Sequence, residues 1–411
     1  MSTPTLPDTS SVPTASGPGR DARPRLPLVV PVLALGTFLM LTTEFVVAGI
    51  LPEVAGGLGV SLAEAGTLVT VFAAGMIVGA PAMALLTLRA SKRLTLVGAM
   101  LVFVVGHVVV ALASDLGVLL VTRFVTAIAT GAFWAVAAVV ATRAAGPGAG
   151  ARALGVVTAG GALATVLGVP LGALVAQATG WRGTFWALAV AAAIAVVAVA
   201  RLVPADDGSQ PTSSLRAEVA GLRSGRLWLT LLACATTTGG VLAAYSFISP
   251  ILTDQAGVSP SLVPLVLTGF GVGSFVGTLV GGRLGDRHPG PVTIVTPAVT
   301  IVVLSAVAVT TGAPAVTTVL VVLLGLSGLS ANGVLVHLAV QHAGRAATLG
   351  SALAVSAFNA GTAAGTALAG ASLSSALGVQ GPATLGSAVA ALTLVPTVAL
   401  AVLRRRARRR T

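Results

Sequence analysis

Charged residues are scarce in this sequence of 411 residues: they make up 8% of it, against about 25% in soluble globular proteins. A soluble chain of this length could not cover its surface with so few charges. The single cysteine, Cys234, has no second cysteine with which to pair inside the chain, so a disulfide-stabilised scaffold is excluded. Apolar residues make up 55% of the sequence, and this content excludes a disordered protein. The class that remains is a protein that crosses a membrane many times.

Twelve apolar runs follow the first 25 residues, and each is long enough for a helix of about 20 residues to cross the hydrocarbon layer. Lipid offers no partner for bare backbone groups, so only helices or closed barrels can span it, and these runs lack the strict alternation of barrel strands. The sequence therefore predicts an all-α integral membrane protein with twelve transmembrane helices. The predicted runs are 28–50, 65–87, 95–113, 116–142, 153–178, 184–202, 227–251, 261–283, 292–311, 314–339, 348–374 and 383–403.

The basic residues test this count of helices. If the N-terminus is cytoplasmic, 21 of the 23 Lys and Arg residues fall in segments on the cytoplasmic side. Only Arg182 falls in an outer loop, and Arg123 lies inside the fourth run. This is the positive-inside pattern, and it predicts a multi-pass protein of the cell's inner (plasma) membrane with both termini in the cytoplasm. The basic charge is thereby explained without nucleic acid, and the C-terminal arginines are expected to contact anionic lipid head groups.

The longest cytoplasmic connection divides the predicted helices into six and six. We expect a disordered cytoplasmic tail (1–25), an N-terminal six-helix half (26–202), a linker in which a short surface helix is plausible (203–226), a C-terminal six-helix half (227–403) and a basic tail (404–411). Residues of the second run recur 198 positions later in the eighth run. The matching residues are Thr70, Phe72, Gly75, Val78, Gly79 and Arg89, paired with Thr268, Phe270, Gly273, Val276, Gly277 and Arg287. Two similar halves around a midplane site are the architecture of many secondary transporters.

Two ionisable side chains lie well inside the runs, Glu44 and Arg123. A charge such as Asp or Arg at a helix centre costs at least about 2.5–3.5 kcal/mol, so such residues usually face a protein interior or a water cavity. Burial disfavours the charged form of a carboxyl group, so Glu44 is a candidate for proton coupling. The alternative is a Glu that snorkels or pairs locally near the outer interface. Arg123 is a candidate for binding an anionic group or repelling the proton on Glu44, and equally for locking a helix interface by bonding backbone carbonyls.

Six further residues are candidates for a substrate cavity. Thr37 and Met40 share a helix face with Glu44, and Thr130 and Trp134 share one with Arg123. Tyr245 is expected either in the cavity or in an outer aromatic belt. Asn359 is expected either to face the substrate or to join helices by hydrogen bonding. The six are Thr37, Met40, Thr130, Trp134, Tyr245 and Asn359. His107 and His337 are candidates for proton relays or for structural donors.

Motifs typical of enzymes and pumps are missing from the sequence. No His, Cys, Asp and Glu cluster has metal-ligand spacing, no Ser-His-acid arrangement can be placed, and no Gly-rich phosphate loop ends in Lys. We therefore expect no metal, no cofactor and no enzymatic activity, and an ATP-driven pump is disfavoured.

Several motifs resemble the major facilitator superfamily, in its group of twelve-helix drug:proton antiporters. The segment 282–287, which includes Asp286 and Arg287, resembles the inner-loop gate motif of that family. Arg123 resembles the arginine of the fourth helix. The first copy of the gate motif comprises Gly79, Arg89, Lys92 and Arg93. The antiporter motif of the fifth helix comprises Gly168, Pro170 and Gly172. The segments that most resemble chloramphenicol exporters and sugar-efflux-like relatives are Thr43-Glu44-Phe45 and Gly180-Trp181-Arg182. The first gate copy has Leu88 where the usual Asp would stand.

This resemblance implies two pseudo-symmetric six-helix halves that rock around a central cavity. It implies a proton-driven exporter that works by alternating access, in which Glu44 takes a proton from outside and releases it inside, while Asp286 and nearby arginines hold the inner gate. The apolar cavity walls suit a hydrophobic or weakly polar ligand such as an amphenicol antibiotic. A sugar or metabolite exporter is the alternative, and a membrane enzyme or a transporter-like sensor lies outside the class. The expected partners are the small-molecule substrate, protons and membrane lipids, and the protein is expected to be a monomer.

Overall fold

The computed structural model describes residues 26–86, 90–146, 149–204, 224–344 and 347–408. Within these ranges the regular secondary structure is helical throughout, without strands, and twelve helices are long and apolar enough to cross a membrane. These helices, called spans 1 to 12, are Val29–Gly49, Leu62–Met83, Lys92–Leu112, Leu116–Ala145, Arg152–Thr179, Trp181–Leu202, Gly225–Tyr245, Pro260–Arg287, Pro289–Val309, Pro314–Ala343, Leu349–Ser372 and Gly378–Leu403. The prediction of an all-α protein with twelve membrane-spanning helices is confirmed.

Some predicted segments fall outside the described residues. They are the tail 1–25, most of the linker with its surface helix, and the last residues of the basic tail. The final helix, Leu394–Arg408, runs past the predicted end of the twelfth run at residue 403.

The predicted end of the seventh run at residue 251 is wrong, because the helix of span 7 ends at Tyr245. A short helix, Ile248–Pro250, and a π-helical turn, Ile251–Gln255, follow it. The physical reason is Pro250. Its ring lacks an N–H and would clash with the carbonyl four residues earlier, at Ser246, so the chain leaves the helix there.

Side-chain caps fix several helix starts. Ser61 and Glu64 form a capping box before span 2: the backbone N–H of Ser61 donates to Glu64 Oε2 over 2.8 Å, and that of Glu64 donates to Ser61 Oγ over 3.2 Å. Asp115 accepts from the N–H of Val118 over 3.0 Å at the start of span 4. Such caps satisfy backbone donors that the first turn leaves free, so they help to set where each helix begins.

The two halves repeat in structure as well as in sequence. Span 4, Leu116–Ala145, and span 10, Pro314–Ala343, have bounds that differ by 198 residues at both ends, which is the offset of the sequence repeat. Gly75 and Gly79 of span 2 pack against the backbone of span 4, at Phe124 and Ile128. The contacts 198 residues later join Gly273 with Val322 and Gly277 with Leu326. Span 2 therefore packs on span 4 as span 8 packs on span 10, and the predicted pseudo-symmetric halves are confirmed.

The two halves meet along two seams. In one seam, Ser356 of span 11 donates a hydrogen bond over 3.1 Å to the backbone oxygen of Ile77 in span 2. In the other, Gly271 of span 8 lies against the backbone of span 5 at Thr165 and Val166. The interior of the bundle between these seams holds the candidate functional site.

Spans 7 and 11 approach each other through glycines, and this contact supports a prediction about stability. A methyl group at Gly361 would meet the backbone oxygen of Ala235 in span 7, and backbone cannot move aside as a flexible side chain can. Overpacking of this kind costs about 1–3 kcal/mol, so Gly361→Ala is expected to lower the melting temperature of the purified protein by several degrees. Gly155→Ala is the matched control, since a methyl group there meets open space. Equal melting temperatures for the two variants would contradict the close packing of spans 7 and 11.

Candidate proton and substrate site

Glu44 lies in span 1, and Arg123 lies in span 4, which packs beside it. Glu44 stands five residues before the end of span 1, and Arg123 seven residues after the start of span 4. At about 1.5 Å per residue, both side chains lie about 7–11 Å inside the same end of the bundle. Glu44 is half-buried, and its carboxyl group makes no hydrogen bond or ion pair with any part of the chain that the structure describes. The charges of Glu44 and Arg123 interact electrostatically without direct pairing.

The guanidinium of Arg123 is held on one side and free on the other. Its Nη1 donates to the backbone oxygen of Thr43 over 2.9 Å and to Thr43 Oγ1 over 3.0 Å. Its central carbon lies 4.2 Å from the ring centroid of Phe72 in span 2, a cation–π contact. Its Nε and Nη2 are buried and have no hydrogen-bond partner among the described residues. These two nitrogens form a planar fork that suits a carboxylate, and leaving them unpaired is costly.

Thr43 connects Arg123 to a histidine in a third helix. Thr43 Oγ1 lies 2.7 Å from His107 Nε2, and His107 Nδ1 lies 2.7 Å from the backbone oxygen of Phe103. All of these side chains are buried. Sequence reasoning considered His107 only as one of two membrane histidines and missed Thr43 and Phe72 as partners of Arg123. No spacing rule could have found this network, because its members lie on different helices, at separations of 64 and 80 residues.

The predicted cavity residues of the N-terminal half form a packed wall. The hydroxyl of Thr130 in span 4 donates to Met40 Sδ in span 1 over 3.4 Å, and the hydroxyl of Thr37 donates to the backbone oxygen of Leu33. Thr37, Met40 and Thr130 are all buried, whereas Trp134 is half-buried and lies near Gly161 of span 5. The structure thus brings Thr130 of span 4 against Met40 of span 1, the helix that carries Glu44.

Tyr245 lies in the protein interior rather than in a lipid-facing aromatic belt. It is 1% exposed, and its ring stacks on Phe270 with centroids 4.3 Å apart. Its ring also meets Phe45, the neighbour of Glu44, edge to face at 6.4 Å. We call these three rings, Phe45, Tyr245 and Phe270, the aromatic cluster, and they come from both halves. The Tyr245 hydroxyl is buried and has no partner among the described residues.

Asn359 of span 11 offers a second unpaired polar atom. Its amide nitrogen donates to the backbone oxygen of Val355 in its own helix over 3.0 Å, whereas its Oδ1 is buried without a partner in the described part of the chain. In the described part it therefore joins no other helix. Buried polar atoms are nearly always paired by protein, water or ligand, so the Tyr245 hydroxyl and Asn359 Oδ1, which lack a partner among the described residues, remain candidates for contact with a ligand.

The antiporter-like motif of span 5 packs against the helix that carries Glu44. A π-helical turn, Ala164–Gly168, interrupts span 5 just before Pro170. A proline frees the carbonyl one turn earlier, and a π-turn is one way for the helix to absorb this. Side chains at Gly168 and Gly172 would collide with Thr42 and Val46 of span 1. Small residues at these positions therefore allow spans 1 and 5 to pack closely beside Glu44.

The residues of the predicted gate lie at the other end of the bundle. Asp286 and Arg287 are exposed at the end of span 8, and neither forms an ion pair with the described residues. Arg93 is half-buried near the start of span 3, Gly79 packs on span 4, and Arg89 lies outside the described residues. A metal site of three or more His, Cys, Asp or Glu side chains was not found among the described residues.

Comparison with known proteins agrees with this architecture. The family model of the Major Facilitator Superfamily matches residues 33–356 and 231–411. A chloramphenicol resistance protein of Streptomyces lividans is 36% identical over 373 residues, which cover 90% of this chain and 95% of that protein. The inner membrane transport protein YdhP of Escherichia coli (strain K12) is 31% identical and covers 88% of this chain and 93% of its own length. The uncharacterized MFS-type transporter YtbD of Bacillus subtilis (strain 168) is 30% identical, with coverages of 82% and 86%.

Solved structures show the same fold. A bacterial homolog of the human lysosomal transporter Spinster, in an inward-facing and unoccupied conformation, superposes with a TM-score of 0.72 at 16% identity, covering 92% of this chain and 96% of that one. The inward-facing and occupied structure gives the same values. The predicted resemblance is confirmed: this chain belongs to the Major Facilitator Superfamily and is a multi-pass membrane transporter of small molecules, not an enzyme.

Proposed function

We propose that this transporter exports a hydrophobic or weakly polar small molecule in exchange for protons. The observation that carries the proposal is the relation between Glu44 and Arg123. Among the described residues, the half-buried carboxyl group of Glu44 has no partner, and two buried nitrogens of the Arg123 guanidinium on the adjacent helix have none. A group that must gain and lose a proton cannot be locked in one permanent ion pair, and Glu44 meets this condition.

The proton step follows from the chemistry of these two groups. With the site open to the outside, Glu44 takes a proton and becomes neutral, and substrate leaves. With the site open to the cytoplasm, Glu44 releases the proton as substrate enters, and the free Nε and Nη2 of Arg123 stabilise the carboxylate. The membrane potential contributes about 2.3 kcal/mol per charge per 100 mV to any step that moves net charge. Asp286, which forms no ion pair with the described residues, closes the inner gate by pairing with nearby arginines when the transporter faces outward.

The substrate class follows from the aromatic cluster and the unpaired polar atoms. Phe45, Tyr245 and Phe270 bring three aromatic rings together in the interior, and the buried Tyr245 hydroxyl and Asn359 Oδ1 add two hydrogen-bonding positions. Apolar and aromatic surface with a few placed polar groups suits a neutral, drug-sized ligand with an aromatic ring. An amphenicol antibiotic has this chemistry, and the 36% identity to a chloramphenicol resistance protein supports the choice.

We also propose that the protein resides in the cell's inner (plasma) membrane, with both termini in the cytoplasm. Five basic residues lie next to the loops that follow even-numbered spans, at the ends of the helices that these loops connect. They are Lys92, Arg93, Arg143, Arg283 and Arg287. Positive residues accumulate on the cytoplasmic side of such proteins. Cysteine accessibility from either side of intact cells, measured at positions 257 and 290, tests this orientation.

Transport in proteoliposomes with an imposed pH gradient tests the function. Radiolabelled chloramphenicol is expected to accumulate against its gradient and to stop doing so when a protonophore removes the proton gradient. A labelled sugar, tested in parallel, is expected not to move. Sugar movement without chloramphenicol movement would favour the sugar exporter, and chloramphenicol binding without flux would favour a sensor. Either result would overturn the proposal.

A further inference from the structure

We propose that His107 is a positioning residue for Arg123, acting through the hydroxyl of Thr43 as a fixed hydrogen-bond acceptor and not as a carrier of protons. The inference rests on the proposed function, because it concerns the guanidinium that the proton step uses. His107 lies in span 3, Thr43 in span 1 and Arg123 in span 4, so the hydrogen-bonded network joins three helices of the N-terminal half.

The hydrogen bonds determine which nitrogen of His107 carries the proton. The backbone oxygen of Phe103, 2.7 Å from Nδ1, can only accept, so Nδ1 must carry the hydrogen. In a neutral imidazole Nε2 then has a free lone pair, and it accepts from the Thr43 hydroxyl over 2.7 Å. Because that hydroxyl spends its hydrogen on His107, its oxygen is left to accept from Arg123 Nη1 over 3.0 Å. The three hydrogen bonds of this network therefore all run in one direction: Arg123 donates to Thr43, Thr43 donates to His107, and His107 donates to Phe103.

A proton on His107 Nε2 would reverse this order. It would turn an acceptor into a donor aimed at Thr43 Oγ1, which already accepts from Arg123. It would also place a second positive charge beside Arg123 in a buried site. Five charged residues stand on the spans that pack against span 3: Glu44 on span 1, Arg123 and Arg143 on span 4, and Arg182 and Arg201 on span 6. Arg143 and Arg201 lie in the last turns of their helices, at the end of the bundle where span 3 begins, and Arg182 donates to the backbone oxygen of Ala113. The nearest charge is thus the Arg123 cation, and it opposes protonation.

Packing holds the imidazole in this orientation. His107 is 2% exposed, its ring stacks on Phe103 with centroids 3.8 Å apart, and Phe185 of span 6 lies 5.8 Å away on another side. Thr43 is fully buried. A rigid acceptor fixes the Thr43 hydroxyl, which in turn helps to fix Nη1 and thereby sets where Nε and Nη2 lie. His107 therefore holds Nε and Nη2 of Arg123 in place for the Glu44 carboxylate without contacting the substrate or carrying the coupling proton.

Paired variants test the role through transport. His107→Phe keeps an aromatic ring but removes the acceptor, and Thr43→Val keeps the shape but removes the hydroxyl. Each is expected to lower proton-driven export by about tenfold, the size of one hydrogen bond to a charged group, while substrate exchange without a proton gradient stays within about twofold. His107→Gln, which keeps an acceptor, and Thr43→Ser are expected to retain export. The double variant His107→Phe with Thr43→Val is expected to export at the rate of either single variant, because both substitutions break the same chain of hydrogen bonds.

Nitrogen NMR gives a second measurement, the protonation state of each imidazole nitrogen of His107, which a purely structural role would not fix. The chain has four histidines, so ¹⁵N-histidine-labelled protein in nanodiscs gives few signals, and His107→Gln identifies the one from His107. That signal is expected to show a protonated Nδ1 and an unprotonated Nε2 across the pH range of transport. Thr43→Val is expected to shift its Nε2 resonance and leave the other histidine signals in place.

Three outcomes would overturn the inference: a proton on Nε2, an Nε2 resonance unaffected by Thr43→Val, or export by His107→Phe at the wild-type rate. Equal losses of exchange and proton-driven export would also count against it, since they would indicate general misfolding. None of these results bears on Glu44. If Glu44→Gln still exports uphill while the NMR signature holds, the proposed proton coupling fails and the hydrogen-bonded network stands.

Discussion

Glu44→Gln is expected to abolish uphill export driven by a pH gradient. The amide has nearly the same shape as the carboxylic acid, but it cannot release a proton, so substrate movement is no longer tied to proton movement. For the exchange of one proton for one neutral substrate molecule with the membrane potential held at zero, a gradient of about one pH unit supports about tenfold accumulation of substrate, which is about 1.4 kcal/mol. In proteoliposomes loaded to give this gradient, wild-type protein is expected to approach that ratio and Glu44→Gln to stay at a ratio of one.

Substrate exchange separates this loss from simple damage to the protein. Exchange of labelled for unlabelled chloramphenicol needs no net proton movement, so Glu44→Gln is expected to retain it. Glu53→Gln is the matched control, because Glu53 is an exposed carboxyl on the short helix Leu51–Leu58, outside the proposed site. It is expected to accumulate substrate as the wild type does. Uphill accumulation by Glu44→Gln would show that the coupling proton is carried elsewhere.

Arg123→Ala is expected to reduce proton-driven export by about tenfold to a hundredfold, the range that the loss of a hydrogen bond to a charged group implies. The variant removes the cation that stabilises the Glu44 carboxylate, so release of the proton to the cytoplasm slows. Arg123→Lys is expected to recover only part of the activity. An ammonium group is a single point charge and cannot bond Thr43 while presenting two nitrogens to a carboxylate. Initial rates of export at a fixed pH gradient measure both effects.

Arg182 provides a matched control for the structural contacts of Arg123. Its Nη2 donates to the backbone oxygen of Ala113 over 3.1 Å, and its central carbon lies 4.3 Å from the ring centroid of Trp181. It thus has the same two kinds of contact as Arg123, a backbone carbonyl and an aromatic face, but it stands at the second position of span 6, at an end of the bundle. Arg182→Ala is expected to leave the coupling ratio of protons to substrate unchanged. Equal effects of Arg182→Ala and Arg123→Ala on that ratio would assign Arg123 a structural role only.

The fold could be predicted from the sequence because it depends on hydrophobicity along the chain, which the sequence gives directly. Each helix must be apolar over the thickness of the hydrocarbon layer, so twelve runs of suitable length give twelve spans whatever their neighbours are. The repeat at 198 residues was visible in the sequence for the same reason: Gly75 and Gly79 recur as Gly273 and Gly277 because each must admit the backbone of a neighbouring helix. The end of span 7 was missed, although Pro250 marks the break, because apolar residues continue on both sides of it.

The candidate site could be predicted only in part. Glu44 and Arg123 stand out because charge is rare and costly in a membrane helix. The sequence left Tyr245 between a cavity and an aromatic belt, since one aromatic residue near a helix end fits both. The structure places it against Phe270 and Phe45, inside the bundle. Thr43 had no role in the sequence beyond a motif, because a buried threonine usually bonds its own helix, as Thr37 and Thr42 do.

The amino-acid sequence by itself determined the class of protein, the number of membrane crossings, the twofold repeat and the two charged residues within the membrane, because each of these follows from hydrophobicity and charge along the chain. Only the tertiary structure decided that Arg123 binds Thr43, and through it His107, with Nη1, while its Nε and Nη2 have no partner among the described residues. Hydrogen bonds between helices depend on how the helices rotate and pack against each other, and the apolar residues that set this packing are too alike in sequence to reveal it.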